Sequence, residues 1–434
     1  MKKATFRTIQ ILLIVMLVGG CKPIKLGRFY LSENHQKPKQ AYHQIRSNPD
    51  TSFQFHSSRG DYQQFIENIE FHPPSYKNKK GDTYRLVDYL HHQTKTTAFL
   101  VIRRDTILFE KYFEGYDEYS LLPSFSVAKS FTSSLIGIAI QEGKIHSESD
   151  LVITYLPELE DIHPYWSLMT IEHLLNMRSG ISFNEENYVN PYSGVAQLYM
   201  SKDVRKVLQR VKFQAKPGQT HYYSSLDTEI LGLVLERVIG KPLPEYLQEK
   251  IWHPCGMESQ ANWAIDSRKA NHTKAFCCIN AIARDYAKFG RLYLHKGNWN
   301  GQQLINTPWI EKSILPNFDN NCYQYQWYSQ QRGMKSSKNE AGKYQILTFS
   351  DSLAASKHIT HNTYESVRRH RTDKEKWVIQ QCGPGFYALG IFGQEIYLIP
   401  DKEMIFIRLG KKWDTPSQRI FSVIQHKLTT YEPM

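Results

Sequence analysis

Two patterns typical of β-hairpins lie far apart in the chain, on either side of a long stretch with helical periodicity. The first, "TAFLVIRRDTILFEKYFEGY" (97–116), has two apolar runs joined at "RRD", and the second, "FYALGIFGQEIYLIPDKEMIFIRLG" (386–410), turns at "PDKE". Apolar runs bounded by turn residues predict strands. Because both hairpins need sheet partners, we expect one sheet built from both ends of the chain, with the segment between them inserted.

The segment between the hairpins is mostly helical by apolar periodicity, which predicts a helical subdomain over about 145–290. A last amphipathic pattern, "PSQRIFSVIQHKL" (416–428), predicts a closing helix. The sequence therefore predicts a mixed α/β (α+β) fold, with an antiparallel sheet from both chain ends flanked by helices. With 434 residues and 41% hydrophobic content, the chain is long enough to bury a full core.

The remaining segments are more polar. Residues 21–80 are rich in His, Gln, Asn, Ser and Lys, and we interpret them as a polar tether followed by a lead-in segment. The predicted domain covers 81–430. Within it, 329–378 has many basic residues and few apolar runs, so it is expected to be a polar insertion.

The first 21 residues resemble a bacterial lipoprotein export signal. A basic start precedes an apolar run, 11–18, that is too short to span a bilayer. Small residues then precede Cys21, as in a lipobox; an ordinary signal peptide with an incidental cysteine is the alternative. We expect removal of 1–20, membrane attachment through lipidated Cys21 and a location in the bacterial cell envelope. Lys22, instead of an aspartate, favours the outer membrane.

Charge and cysteine content narrow the function class. The net charge of +12 would suit a nucleic-acid-binding protein, but the basic residues are scattered and no such motif occurs, so we expect no nucleic-acid partner. Five of the six cysteines follow Cys21, and none forms a C-x-x-C pair. The vicinal Cys277 and Cys278 do not have the spacing of a metal site. We interpret these five cysteines mainly as small buried side chains and expect no metal site.

A serine and a lysine three residues apart open an apolar segment. "SVAKSFTSSLIGIAIQEGKI" begins at Ser126, contains Lys129 and predicts a helix that ends near Gly143, with Ser124 as a candidate N-cap. Residues i and i+3 share a helix face, so Lys129 can reach Ser126. Burial lowers the pKa of a lysine, which can then accept a serine proton. The alternative is a capping serine beside a solvated lysine.

A second motif, in "PGQTHYYSSLDTEILGLVLERVIG", places Tyr223 and Ser225 before another helix. S-x-x-K followed by Tyr-x-Ser resembles the serine β-lactamase and penicillin-binding-protein superfamily, and more narrowly the class C β-lactamase-related hydrolases. The resemblance covers roughly 85–428, and the ending "GIFGQ" is most similar to the 6-aminohexanoate-dimer hydrolase/esterase branch. Further matching segments, in the expected order, are "ILFEKYFEGY", "YLPEL", "MTIEHLLNMRSGISFNEE", "KIWHPCGM", "ARDYAKFGRLYLHKGNWNGQQLI" and "GIFGQEIYLIP".

The resemblance implies a β-lactamase-like fold and a serine hydrolase that needs no metal or organic cofactor. Ser126 would be the acylated nucleophile and Lys129 the base. Tyr223 would pass a proton to the leaving group, and its phenol would need a cationic neighbour to be partly ionised. The backbone N–H groups of Ser126 and Ile391 would form the oxyanion hole.

The same resemblance implies further residues around the substrate. Ser225 would take the place of a family asparagine and bind substrate or position Lys129, and Gly390 would lie beside the oxyanion hole. Tyr188, in "EENYVNPYSG", would cover the substrate or be only a surface aromatic. Ala388 stands where the family commonly has a Lys or His that binds a β-lactam carboxylate, so efficient β-lactamase activity is not expected.

Two functions remain open at this level. The first is a lipid-anchored hydrolase acting on a small-molecule or peptide-like amide or carboxyl ester, which Ser126, Lys129 and Tyr223 favour. The alternative is a non-catalytic cell-envelope binding protein that retains the fold, which the missing cation at Ala388 favours. Reaction of Ser126 with an electrophilic probe separates them.

Overall fold

The computed structural model describes residues 41–51, 53–58, 61–74, 82–186, 188, 190–315, 322–338, 344–359, 365–369, 375–412 and 417–431. The predicted signal peptide and Cys21 lie outside these residues. Among the described helices, none combines the length and the hydropathy that crossing a bilayer requires.

A nine-stranded sheet, called here the central sheet, is built from both ends of the described chain, as predicted. The predicted hairpins meet where Thr96–Arg103 pairs with Met404–Gly410. Pairing is antiparallel except at the edge strand His56–Ser57, which is parallel to Thr106–Tyr112. In spatial order the strands are Tyr323–Gln324, Trp327–Met334, Trp377–Gly390, Gln394–Ile399, Met404–Gly410, Thr96–Arg103, Thr106–Tyr112 and His56–Ser57, and Glu365–Arg369 also pairs with Trp377–Gly390.

Both faces of the central sheet are covered, which explains why its middle strands are continuously apolar. Side chains alternate between the two faces along a strand. In Thr96–Arg103, Leu100 and Ile102 pack into the larger core on one face, whereas Phe99 and Val101 pack into a smaller core on the other.

Helices from the inserted segment cover the larger core. The nucleophile helix, Ala128–Gln141, packs beside Ser225–Ile239, and Ala283–Leu294 lies directly on the sheet. A Cβ on Gly290 would approach Ile396 Cγ2 to 3.0 Å, so a glycine allows this close approach. The other described α-helices between the hairpins are Val152–Tyr155, Ile171–Leu175, Gly194–Met200, Arg205–Leu208, Leu243–Leu247, Thr307–Ile314 and Ser352–Ser356.

The smaller core lies under the closing helix, Ser417–Thr429, which matches the predicted helix to within one residue at each end. Its residues Ile420, Phe421 and Ile424 are fully buried against the sheet. The short helix Tyr62–Glu67 and the three-residue helix Leu86–Asp88 complete this layer, through Ile66, Leu86 and neighbouring apolar residues.

A second, four-stranded sheet, called here the small sheet, was not predicted. Its strands are Tyr42–Ile45, Ala261–Ala264, Ile279–Ala281 and Leu122–Pro123, and two of them lie inside the segment predicted to be helical. They are only two to four residues long, too short for a period-2 pattern to appear in the sequence. Tyr42–Ile45 comes from the predicted tether and lead-in segment.

The predicted polar insertion, 329–378, extends the central sheet in its described parts. Trp327–Met334 runs antiparallel to Trp377–Gly390, which is the longest strand of that sheet. The hairpin Ser336–Lys338 with Tyr344–Ile346 and the helix Ser352–Ser356 lie beyond it. A small separate core of Ala355, Val367 and Ile379 lies there. The polar composition of this segment therefore reflects an extension of the central sheet that buries only a small apolar core of its own.

Candidate active site

Ser126 lies in a tight 3-10 turn, Phe125–Val127, that leads into the nucleophile helix. Ser124 does not cap this helix as predicted, because its own backbone is helical and its hydroxyl bonds elsewhere. That hydroxyl donates to Phe125 O at 3.0 Å and accepts from Ile279 N at 3.0 Å. Ser124 therefore fastens the serine turn to the small sheet.

Lys129 reaches Ser126, as the three-residue spacing predicted. Its Nζ lies 2.9 Å from Ser126 Oγ, 3.1 Å from Ser225 Oγ and 3.0 Å from Phe276 O. The lysine is only 2% exposed, so the alternative of a solvated surface lysine is wrong.

The donor and acceptor roles in these contacts indicate how a neutral Lys129 can act as a base. Phe276 O can only accept, and the Ser225 hydroxyl donates to Glu185 Oε1 at 2.7 Å, so Ser225 accepts from Lys129. A neutral amine has two N–H groups and one lone pair. With both N–H groups used, the lone pair faces Ser126 and can receive its proton.

Burial lowers the pKa of Lys129 to about 8, while the negative charges of Glu185 and Glu229 act in the opposite direction. A substantial share of the lysine is then neutral near pH 8. The expected direction of the shift is confirmed; its cause is desolvation, and the neighbouring charges are carboxylates rather than a cation.

Glu185 is the group that holds Ser225 in place. Its carboxylate accepts from Ser225 N at 2.8 Å, from Ser225 Oγ at 2.7 Å and from the Tyr188 hydroxyl at 3.0 Å. Glu185 is 6% exposed, and burial raises its pKa while Lys129 lowers it. The predicted Ser225 thus lies between the lysine and a buried carboxylate, and Tyr188 is tied to the same carboxylate.

Tyr223 lies on the other side of the lysine. Its ring centroid is 5.0 Å from Lys129 Nζ, and its phenol shares a hydrogen bond with Ser126. Burial, followed by the nearby Tyr188 and Glu185, raises the pKa of Tyr223 well above its usual value. A partly ionised phenol would need a stronger opposing effect, because only the hydrogen bond with Ser126 lowers this pKa and desolvation is the largest cause. A neutral phenol is a proton donor.

The backbone brings Gly390 and Ile391 to Ser126, as the resemblance implied. A Cβ on Gly390 would lie 3.1 Å from Ser126 N and 2.5 Å from Ser124 O, so only glycine fits at this contact. Ile391 follows at the end of the strand Trp377–Gly390 and borders the cavities beside Ser126. The backbone segments that would supply both oxyanion-hole donors are thus adjacent.

Two phenylalanines with unusual backbone angles flank these segments. Phe125, before Ser126, has φ +42°, and Phe392, after Ile391, has φ +63°. Their rings meet edge to face at 5.5 Å and form a small cluster of their own with Ile391 and Tyr199 packed against it. Left-handed backbone at non-glycine residues is retained only where packing enforces it. We call this pair the phenylalanine clasp.

Two cavities meet at Ser126. The slot, of about 30 Å³, is mostly apolar and is lined by Phe125, Ser126, Tyr188, Val195, Tyr199, Ser225, Phe276, Cys277 and Ile391. The groove, of about 430 Å³, is lined by Ser126, Tyr188, Tyr223, Tyr328, Leu389, Gly390, Ile391, Phe392, Gly393, Glu395 and Ser417. Tyr188 borders both, as expected of a residue near the substrate.

A larger cavity, of about 700 Å³, lies elsewhere, between Leu156, Leu208, Leu233 and Arg237. None of the residues that contact Ser126 or Lys129 borders it. Its size alone indicates no chemistry, because it lacks a nucleophile and base in contact.

Ala388 supplies no cation, and the structure shows where it points. It is 1% exposed and packs into the larger core, paired with Ile396 of the next strand. Its neighbour Leu389 faces the groove instead. Opposite Leu389 lies Glu395, whose pKa burial raises to about 7, against the effects of Ser417 and Arg408.

The cysteines differ from the prediction. Four of the five that follow Cys21 are paired, Cys277 with Cys278 and Cys322 with Cys382, and Cys255 is free and buried. All five are buried as expected, but only Cys255 is a simple buried thiol. In the described ranges, no group of three or more His, Cys, Asp or Glu is arranged to hold a metal ion.

Sequence reasoning missed three parts of this site: Glu185, the carbonyl of Phe276, and the phenylalanine clasp. Glu185 lies three residues before the predicted Tyr188, but "FNEEN" offers two adjacent acids and nothing to choose between them. A backbone carbonyl carries no sequence signal at all. Positive φ at phenylalanine cannot be inferred from residue type, which argues against it.

Comparison with known proteins shows the family and the fold. The family model described as "Beta-lactamase" matches residues 84–421. The "6-aminohexanoate-dimer hydrolase" of Paenarthrobacter ureafaciens is 29% identical over 236 residues, which are 51% of this chain and 58% of that protein. The match thus spans little more than half of that relative's length.

Two solved structures share the fold. The "Putative 6-aminohexanoate-dimer hydrolase from Bacillus anthracis" aligns with a TM-score of 0.69 and 23% identity, covering 92% of this chain and 93% of its own. The penicillin binding protein from Bacillus halodurans aligns with a TM-score of 0.52 and 14% identity, covering 79% of this chain and 99% of its own. At such identities the likeness is one of fold.

Proposed function

The chain belongs to the beta-lactamase family, and from this premise we propose that it hydrolyses an amide or a carboxyl ester through an acyl-enzyme on Ser126. The observation that carries the proposal is the set of Lys129 contacts. When Lys129 is neutral, its two N–H groups are used by Phe276 O and Ser225 Oγ, which leaves its lone pair for Ser126, 2.9 Å away. The relative named as a 6-aminohexanoate-dimer hydrolase supports the same reaction type.

Acylation begins when the Ser126 hydroxyl gives its proton to Lys129 and Oγ bonds to the substrate carbonyl carbon. The backbone N–H groups of Ser126 and Ile391 stabilise the resulting oxyanion. As the bond to the leaving group breaks, Tyr223 donates its phenolic proton to the departing nitrogen or oxygen. The Lys129 ammonium then returns a proton to Tyr223.

Deacylation repeats these steps with water. A water molecule gives one proton to the Lys129–Tyr223 pair and attacks the acyl carbonyl, and Ser126 regains its proton as it leaves. The sum is one water consumed and one amide or ester bond cleaved. The groove, of about 430 Å³, borders Ser126 and offers space for a substrate, whereas the slot, of about 30 Å³, admits only a small group.

The first prediction tests the nucleophile. Wild type is expected to take up one fluorophosphonate group per chain by intact mass and to hydrolyse at least one of a panel of p-nitrophenyl esters and linear amides. Ser126→Ala should lose both. Ser133→Ala is the matched control on the same helix, because the Ser133 hydroxyl is buried without a hydrogen-bond partner, and it should label like wild type.

The outcome of this test also separates the two functions. If wild type neither labels nor hydrolyses any member of the panel, the chain is a binding protein that retains the fold. Labelling that survives in Ser126→Ala would place the nucleophile elsewhere.

We propose in addition that the protein is attached to the bacterial cell envelope by a lipid on Cys21. The support is the sequence of its first 21 residues, with a basic start, a short apolar run and small residues before the cysteine.

A further inference from the structure

The described residues that line the slot and the groove include no basic side chain. None of them is Lys, Arg or His, and Glu395 is the one charged residue among them. A substrate carboxylate placed in either cavity would therefore find no cation at the surface it touches. Burying a charge without a partner is costly.

Two buried basic residues of the described chain contact residues of the walls from behind and are already engaged. Arg408 is fully buried, and four of its five N–H groups donate to Thr96 Oγ1, Phe392 O, Gly393 O and Thr94 O. Lys274, behind the slot, donates to Tyr199 O and is 4% exposed. Lys129 must be neutral to act as a base.

Carboxylates, in contrast, lie at both cavities. Glu185 lies under the junction of slot and groove, bonded to Ser225 and Tyr188. Glu395 lines the groove and is 2% exposed. Above about pH 8, Glu395 is ionised and Lys129 is increasingly neutral, so the side chains at the cleft are then neutral or negative although the whole chain has a net charge of +12.

We propose that this cleft selects amides or esters whose groups beside the scissile carbonyl are uncharged or carry an ammonium, and that it disfavours a carboxylate. The inference rests on the proposed hydrolysis and names the substrate class of the same site. Apolar walls accept an uncharged chain, Glu395 attracts an ammonium in the groove, and a carboxylate meets like charge without a partner.

The turnover test uses sets of esters and thioesters whose members differ mainly in the charge at one end. On the acyl side, p-nitrophenyl butyrate is compared with p-nitrophenyl 4-aminobutyrate and with the mono-p-nitrophenyl ester of glutaric acid. On the leaving-group side, S-propyl thioacetate is compared with acetylthiocholine and S-acetyl-3-mercaptopropanoate. We expect kcat/KM for the carboxylate member to be lower than for its uncharged partner by at least about tenfold on the side that occupies the groove.

A variant pair locates the effect in the groove. Leu389 is 38% exposed, lines the groove and faces Glu395 across the strand pair. Leu389→Lys should shrink the penalty for the carboxylate ester several-fold, because it adds the missing cation and offsets Glu395. Leu389→Gln, of similar polarity but uncharged, should retain the penalty. A carboxylate ester cleaved as fast as its uncharged partner by wild type overturns the proposal.

A binding measurement keeps this proposal separate from the proposed function. Calorimetry on Ser126→Ala compares pentanamide, 5-aminopentanamide and glutaric acid monoamide, so that no turnover is needed. Weakest binding of the monoamide acid supports the charge selection even if no ester is hydrolysed, in which case only the hydrolase proposal fails. Tightest binding of that acid overturns the charge selection even if the enzyme is active.

Discussion

At the residue scale, Lys129 decides the pH at which this site can work. Its folded pKa of about 8 lies below the ordinary lysine value of 10.5 because the side chain is buried. Between these two values the unfolded chain binds more protons than the folded one, so the contribution of Lys129 to folding stability rises with pH there. Below pH 8 the folded protein holds a buried ammonium that is costly for stability and inactive as a base.

The second prediction is therefore a rate that rises with pH. For an uncharged ester, kcat/KM should fall about tenfold per pH unit below an inflection near pH 8, as expected for one essential base. The measurement is a pH profile from 6 to 9.5, with the melting temperature followed in parallel to exclude unfolding. A flat profile over this range would mean that the lysine is not the base.

The third prediction concerns Glu185. Because its charge raises the pKa of Lys129, Glu185→Gln should move the inflection of the pH profile to lower pH. The amide also turns one of the acceptors at Ser225 into a donor, which should lower the stability by about 1–3 kcal/mol and lower kcat. Ser225→Ala is the control for lost positioning without a changed charge. If the pH of the inflection does not change in Glu185→Gln, Glu185 has only a structural role.

The residues that sequence could predict are those whose contact follows from local geometry. Ser126 and Lys129 share one face of a turn, so their spacing alone places them together. Ser225 binds Glu185 across 40 positions, and Lys129 binds Phe276 across 147, which are distances that no local pattern encodes. The family resemblance supplied Tyr223 and Ile391, but it gave no sign of Glu185.

At the element scale, turns and helix ends also divide into those that the local sequence predicts and those that contacts with distant residues determine. The hairpin at "RRD" was predicted from its apolar flanks and is confirmed, although Arg104 and Asp105 both have positive φ without a glycine. An ion pair of Asp105 with Arg291 at 2.7 Å stabilises the turn from outside. Within the segment predicted to be helical, "GVAQLYMSKDVRKVLQRV" forms two short helices, Gly194–Met200 and Arg205–Leu208. The break lies where Asp203 N donates to Ser201 Oγ and Val204 N donates to Asp266 Oδ2.

The fourth prediction tests the phenylalanine clasp. Phe392→Ala should lower kcat for a fast ester by roughly 10- to 100-fold with little change in KM, because a displaced oxyanion donor weakens only the transition state. Phe392→Gly loses the same ring but adopts φ +63° without strain, so it should be at least as stable as the alanine variant. A raised KM with an unchanged kcat would instead show that the phenylalanine clasp holds the substrate.

At the scale of the whole molecule, the two ends of the chain form one sheet and the inserted helices bring the site to it. Ser126 comes from the turn that leads into the nucleophile helix. Tyr223 lies just before the next long helix and Ser225 is its first residue, and Ile391 directly follows the end of a sheet strand. The reaction centre therefore exists only when the sheet and the inserted segment are packed together. One disulfide joins Cys322 to Cys382 across 60 positions and the other links the neighbours Cys277 and Cys278, and both suit an oxidising compartment.

The fifth prediction concerns the export and membrane attachment that the first 21 residues predict. Wild type expressed in a Gram-negative host should fractionate with the membranes, with a mass that shows a lipid on Cys21 and the loss of residues 1–20. Cys21→Ser should appear in the soluble periplasmic fraction and keep its kcat/KM for an uncharged ester, because none of the residues that line the slot or the groove lies near this position in the sequence. Cys255→Ala, which removes the one free buried thiol of the described residues, is the matched control and should remain membrane-bound. Acyl chains contribute about 0.8 kcal/mol per buried methylene, so loss of the lipid should leave little membrane affinity. A wild type that is already soluble and unlipidated would refute the anchor and leave the hydrolase proposal intact.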